Sequence, residues 1–326
     1  MMSSEHSKAN TMYKITPTQA SGAIYRNALN AELKVGARTT LEDAAKARIN
    51  NPEILLYKAR LLGGMQNAQG FADWTRFLLS EFGPRRRCFS LGSGLGRVEK
   101  FLVEIGFVPA FESIELCAEV NEAIRDNDEF ILCHGVLHHL INLEHVLAEI
   151  ARALTADGVL LIYEYIGETR WQFTEGRMHW LSEAFPRVKF RVRPIWGVGG
   201  FESVRSGELS SLIEAQFGDS ALRSVSYGGV YFPFITTTKP AADANIRRVV
   251  ELDDEVSTSG LLRPCYHMGV YRKSRRPVPP PQPWSDDELK SHLQFETPGH
   301  VRAIRGLKEG LHKCSGFPRR LKPHWK

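Results

Sequence analysis

The sequence predicts an α/β protein, in which a mostly parallel sheet with flanking helices follows an N-terminal helical cover and precedes a C-terminal helical tail. Three observations carry that expectation. From Arg87 to Tyr163, short apolar runs alternate with amphipathic helices, the pattern of parallel strands joined by helical crossovers. Ahead of that stretch lie only helix signals, and beyond Tyr271 the composition turns basic and proline-rich.

Residues 1–36 hold no sustained apolar period and read as an irregular leader. The cover spans 37–84. Thr40 caps a helix over Leu41 to Ile49, and Asn51-Pro52 is a cap and first-position pair opening a helix from Glu53 to Leu62. A third helix, Phe71 to Phe82, sets Phe71, Trp74, Phe77, Leu78 and Phe82 on one face and stops at Gly83-Pro84. The central domain spans 85–271. Cys88 to Leu91 is its first strand, left through Gly92-Ser93-Gly94-Leu95-Gly96, after which Val98, Phe101, Leu102 and Ile105 give a buried helical stripe ending at Gly106. Phe111 to Leu116 is the second strand and Phe130 to Cys133 the next, followed by a helix with its stripe at Leu143, Val146, Leu147, Ile150 and Leu154. Asp157-Gly158 is a turn before the strand Val159 to Tyr163. A substrate-side insertion is expected at about 164–217, with helices near Thr174 to Phe185 and Gly207 to Phe217. Leu222 to Tyr227, Tyr231 to Thr237 and Cys265 to Tyr271 read as strands around a helix from Ala244 to about Glu255. From 272 to 326 a basic, proline-rich linker leads to a helical tail, with a capping box at Ser285 to Glu288 and one apolar stripe at Val301, Ile304, Leu307 and Leu311.

Composition narrows the function classes. The chain of 326 residues is 43% hydrophobic and 24% charged, and no stretch approaches the roughly 18 to 20 apolar residues that span a bilayer. Without an apolar signal-peptide core, the expected compartment is the cytoplasm. Five scattered cysteines, Cys88, Cys117, Cys133, Cys265 and Cys314, contain no CxxC pair and suggest neither disulfides nor zinc. The net charge of +5 belongs to the tail: residues 272–326 carry 13 Lys+Arg against 5 Asp+Glu. No recognised nucleic-acid motif accompanies those charges, so the basic tail helix reads as a solvated face or a surface for a protein partner.

The chemistry-bearing residues cluster after the strands. A glycine turn between a buried strand and a helix brings backbone close to a ligand and aims the first helical amides at anionic groups. Gly92, Ser93, Gly94 and Gly96 form that turn. A dinucleotide fingerprint wants Gly or Ala where this chain has Arg97, which disfavours a nicotinamide or flavin site. Glu115 lies at the end of the second strand, where a carboxylate accepts hydrogen bonds from both ribose hydroxyls. His138 and His139 follow the next strand and are candidate general bases. Although His134 and His138 are four apart, the strand is expected to end between them, and no metal is assigned. Tyr163, Glu164, Tyr165, Arg170, Trp171 and Arg205 are candidates to line an acceptor pocket.

Cys88-Phe-Ser-Leu-Gly-Ser-Gly-Leu-Gly-Arg-Val-Glu-Lys-Phe-Leu resembles the first motif of the class I S-adenosylmethionine-dependent methyltransferases, which are Rossmann-like. The run from Phe130 to Leu147 and the stretch Ala151-Arg-Ala-Leu-Thr-Ala-Asp-Gly-Val-Leu-Leu-Ile are similar to the same family's fourth and fifth strands. The resemblance covers Arg87 to Tyr163 and implies S-adenosyl-L-methionine as cofactor. It sets Gly92, Gly94 and Gly96 beside the methionine moiety, Glu115 on the ribose, and His134 and Gly135 by the sulfonium. It also implies methyl transfer to an oxygen or nitrogen of a small molecule or glycan. The chain departs from the family between Leu116 and Phe130, where 13 residues stand in for a strand and two crossovers. Those would need about a dozen residues per crossover, so the family's third strand is expected to be missing or shortened. Ala118-Glu119-Val120-Asn121 resembles the end of that strand and gives Glu119 the place by the adenine. The alternative is a catalytically inactive, methyltransferase-like scaffold or partner-binding protein.

Overall fold

Six strands, of which the central ones are rich in apolar residues, assemble into one sheet whose order explains where a ligand can lie. The computed structural model describes residues 48, 51–63, 78–92, 97–114, 128–171, 173–190, 203–279 and 287, all within the unit Met1–Gln294. The strands are β1 (Cys88–Leu91), β2 (Glu112–Ile114), β3 (Asp128–His134), β4 (Leu154–Tyr165), β5 (Ala221–Tyr227) and β6 (Tyr266–Arg272). Their order is β2-β1-β3-β4-β6-β5. The pairs β1–β2, β1–β3 and β3–β4 are parallel, whereas β6 runs antiparallel to both β4 and β5. This is the Rossmann-like, mostly parallel α/β sheet that the strand and helix alternation predicts.

Alternation along the strands divides the core between two faces. On one face Phe89, Leu91, Ile131, Cys133, Leu160 and Ile162 pack against α3 (Leu143–Ala153) and α5 (Ser206–Phe217). The α3 stripe is the expected one as far as Ile150, with Leu143, Val146, Leu147 and Ile150 at 1% exposure or less, whereas Leu154, expected on the helix, begins β4. On the other face Cys88, Phe130, Leu132, Val159 and Leu161 meet Leu102 of α2 (Arg97–Glu104). Farther along that second face, α7 (Ile246–Ser259) and α1 (Pro52–Gly63) pack with Tyr165 and Tyr227. Asn51 opens α1 as expected, its Oδ1 accepting from the Glu53 amide at 3.0 Å. Thr174 likewise caps α4 (Glu175–Ala184) through the Arg177 amide.

Two expectations are corrected. Tyr231–Thr237, read from its aromatic and β-branched residues as a strand, is a helix, α6, with every residue buried. Asp253 on α7 overrides the local preference: one of its carboxylate oxygens accepts from Val230 and Tyr231 amides at 2.6 and 3.0 Å, at the helix's amino end. Pro233 falls in the first turn, where its missing N–H leaves no intrahelical bond unmade. The Asp157-Gly158 turn does not precede β4 but lies inside it, as a bulge between the pairs Asp128↔Leu154 and Phe130↔Val159. The expected helices over Leu41 to Ile49 and Phe71 to Phe82 fall mostly outside the described residues, as does the tail beyond 279 except residue 287; Arg48 and 78–82 are helical.

Asp253 also accepts from the Gly228 amide and from Tyr57 Oη, 2.8 and 2.7 Å away, tying α1, α6 and α7 together. Its replacement by alanine strands four buried donors and is expected to lower the unfolding free energy by about 3–5 kcal/mol. Urea denaturation checks this, with Asp253→Asn losing less. On the opposite face Ser226 Oγ, His267 and Tyr271 Oη form a chain with contacts of 2.8 and 2.6 Å. Burial holds the His267 imidazole down at about 4. Because the unfolded histidine titrates near ~6.5, the unfolded chain takes up the proton first. The stabilisation is thus complete above that pH and is lost as pH falls toward 4. Unfolding free energy measured between pH 6.5 and 4 should fall by on the order of 2–3 kcal/mol more in the wild type than in His267→Gln.

Candidate functional site

The strand order reverses direction at one place. From β1 the chain crosses by α2 on one face to β2, whereas β3, on the other side of β1, is followed by α3 on the opposite face. In an open α/β sheet that reversal leaves a crevice outside the carboxyl ends of the two strands. Leu91, the last residue of β1, pairs in register with Cys133, so Gly92 leaves the sheet beside His134, the last residue of β3.

Both exits turn on a glycine with positive φ. Gly92 has φ 69° and Gly135 has φ 66°, a region costly for residues with a Cβ. At Gly92 a Cβ would stand 2.7 Å from Val136 Cβ and overlap its Cγ2, so the close approach of the two exits also demands glycine. Among the described residues a Cβ at Gly135, which is exposed, would meet nothing within 4 Å, and these residues leave open space beside the turn.

A buried carboxylate fixes the shape of the second exit. Glu164, on β4 and 1% exposed, accepts from the Val136 and Leu137 amides at Oε1, 2.7 and 2.9 Å away. Its Oε2 lies 2.8 Å from His138 Nδ1, so all three contacts hold the short 3-10 turn Leu137–His139. The Gly135 amide donates to the Tyr163 carbonyl at 2.9 Å, which extends the β3–β4 ladder into the turn. Farther out, Arg205 clamps the segment by donating to the Ile141 carbonyl and to both carboxylate oxygens of Glu144. The Val204 amide adds a bond to the His138 carbonyl at 3.1 Å.

The three histidines of this exit have different surroundings. His138 is buried, and its ring centroid lies 4.2 Å from that of half-buried His139. His134 points to the other face and stacks on Tyr163 at 5.1 Å and 25°. Burial pushes the His134 imidazole below its ordinary range; Glu164 and Glu99 oppose that shift and Lys58 adds to it. Since His138 turns to Glu164 and His134 to Tyr163, the i, i+4 pair does not converge. Among the described residues no group of three His, Cys, Asp or Glu is arranged to hold a metal.

Of the ten site residues singled out from the sequence, the structure brings Gly92, His134, Gly135, His138 and His139 together at this edge. Ser93, Gly94, Gly96, Glu115 and Glu119 lie outside the described residues. The expected acceptor-pocket set divides. Tyr163 is half-buried, but Glu164, Tyr165, Arg170 and Arg205 are each at most 3% exposed and serve packing or ion pairing in the structure. The side chain of Trp171 lies outside the described residues. Glu164, expected beyond the strand Val159 to Tyr163 as a pocket residue, instead lies inside β4 with its carboxylate buried, a placement that demands a buried partner.

No protein-family model and no curated protein sequence matches the chain. Its structure is similar to those of many S-adenosylmethionine-dependent methyltransferases. One is phosphoethanolamine N-methyltransferase 2 of Haemonchus contortus in complex with S-adenosyl-L-methionine, at 12% identity and a TM-score of 0.34, covering 72% of this chain and 60% of that one. A TehB-like methyltransferase from Corynebacterium glutamicum has 13% identity and a TM-score of 0.33, with coverage of 75% and 98% respectively. The CurJ carbon methyltransferase has 11% identity and a TM-score of 0.37, with coverage of 78% and 64%. At these identities the likeness is one of architecture, which the strand order already establishes. Among the described residues no helix is long and apolar enough to cross a membrane.

The contact between the two exits gives a direct test. Gly92→Ala should destabilise the fold by about 2–4 kcal/mol through strain and overlap. Combining it with Val136→Ala should cost less than the sum of the single changes, by roughly 1 kcal/mol, in a denaturation cycle; strict additivity would show that the two residues do not press on one another.

Proposed function

We propose that the chain transfers a methyl group from S-adenosyl-L-methionine to an oxygen or nitrogen of a small molecule or glycan. The observation that carries the reading is the β1/β3 reversal, where both strand exits turn on positive-φ glycines, Gly92 packed against Val136 and Gly135 exposed with open space beside it among the described residues. The described residues fit such a donor. Exposed Gly135 leaves room for its methionine part, and half-buried His134 offers an aromatic surface whose imidazole burial pushes below its ordinary range. Ser93, Gly94 and Gly96 are assigned to the same moiety, Glu115 to the ribose and Glu119 to the adenine, on the strength of the sequence motif.

The donor supplies an already activated methyl group on a sulfonium, so the chain's task is to align the acceptor and exclude water. For an acceptor that must lose a proton, His138 is the assigned base. Glu164 Oε2, accepting from Nδ1–H, selects the tautomer in which Nε2 carries the lone pair. His139, whose ring lies tilted beside it, is the second candidate. Their role is to hold or receive that proton while the Glu164-fixed turn keeps the edge in place.

Calorimetric titration with S-adenosylmethionine and S-adenosylhomocysteine tests the reading. Micromolar affinity in the wild type, reduced at least ~100-fold in Gly135→Trp, is expected because the tryptophan fills the open space beside the turn. No heat and no thermal shift at millimolar ligand would sink the enzyme reading in favour of a non-catalytic scaffold.

A further inference from the structure

Lys58 on α1 is a cation placed with unusual company. Its ammonium lies 5.5 Å from the ring centroid of Tyr231 and 5.8 Å from that of Tyr266. The two rings are nearly parallel, 6° apart with centroids 6.2 Å from one another, and so form a shared platform. Such faces attract a cation and offset part of its desolvation, but they offer no oxygen for its N–H donors. Among the described residues Lys58, which is half-buried, has no carboxylate or hydrogen-bonding partner. The hydroxyl of Tyr231 is likewise buried with no hydrogen-bond partner among them.

This platform adjoins the candidate transfer site. Tyr266 stacks on Tyr163 at 5.9 Å and 9°, and Tyr163 stacks on His134. The row of rings therefore runs from the β3 exit across β4 and β6 to Lys58, along the carboxyl edge of the parallel strands. The charge of Lys58 is felt at His134, where after burial it helps keep the imidazole neutral. Two unmet donors at one end of an aromatic row are the complement of an anionic, oxygen-bearing group.

We propose that Lys58, seated on Tyr231 and Tyr266, is the anion-binding group of the acceptor pocket, so that the methyl acceptor carries a carboxylate or a phosphate. The inference rests on the methyl-transfer reading for the word acceptor, and on the geometry alone for the anion. Tyr163 and Tyr266 form the floor between the anion and the reacting atom, which sets the acceptor's length as the span from Lys58 to the His134 exit.

The test uses the full chain, with and without saturating S-adenosylhomocysteine, titrated with inorganic phosphate and separately with acetate at constant ionic strength. Thermal shift and calorimetry are the readouts. One of the two anions should bind the wild type, and its identity tells phosphate from carboxylate. Lys58→Met should weaken that binding by about tenfold or more, as expected for a lost charge-assisted hydrogen bond, and Lys58→Arg should retain most of it. Circular dichroism checks the fold, and the Arg variant keeps the comparison available if the Met variant fails to fold. Anion binding that depends on Lys58 while S-adenosylhomocysteine does not bind would support the anion site and overturn only the methyl-transfer reading. Neither anion binding the wild type, or equal binding to wild type and Lys58→Met, overturns the proposal.

Discussion

The carboxylate of Glu164 is buried near the carboxyl end of β4, directly after the apolar run Val159 to Tyr163, and a charge there persists only if its oxygens are met. The Val136 and Leu137 amides and the His138 imidazole meet them, all from the turn that leaves the neighbouring strand. The penalty of leaving either side unpaired locks the turn to the sheet. Val136, so held, sits against Gly92, and the spacing of the two exits follows from that contact. The crevice at the strand reversal therefore depends on a residue that does not face it.

A second buried carboxylate plays a comparable part at the far end of the sheet. Asp253 gathers three backbone amides and the Tyr57 hydroxyl, and so joins the amino-terminal helix α1 to α6 and α7. That junction brings Lys58 over the tyrosine row, because Tyr57 and Lys58 are neighbours on α1 and their side chains leave it in different directions. Helix α1 is thus also the element that carries a cation to the carboxyl edge.

Much of this was legible in the amino-acid sequence. The buried runs Cys88 to Leu91 and Phe130 to Cys133, the stripe from Leu143 to Ile150, and the glycines at 92 and 135 each report local rules of period, burial or backbone freedom. Tyr231–Thr237 was misread because its aromatic and β-branched residues favour a strand locally, and the interaction that makes it a helix comes from Asp253, some twenty residues on. The roles of Glu164 and Lys58 were hidden for a similar reason. A charged residue in an apolar strand announces that it needs a partner, but the partner is chosen by strand register, and a lysine's seat on two rings is chosen by helix packing. Neither distance along the chain nor composition records those choices.

The most direct measurement of the account follows the backbone amide resonances of Gly92, Gly135, Val136 and Leu137 while S-adenosylhomocysteine is titrated into the protein. If the Glu164-held turn borders the donor site, these four amides move together and saturate at one micromolar dissociation constant. Binding that leaves them unmoved, or no binding at all, would contradict the claim that this crevice receives the methyl donor.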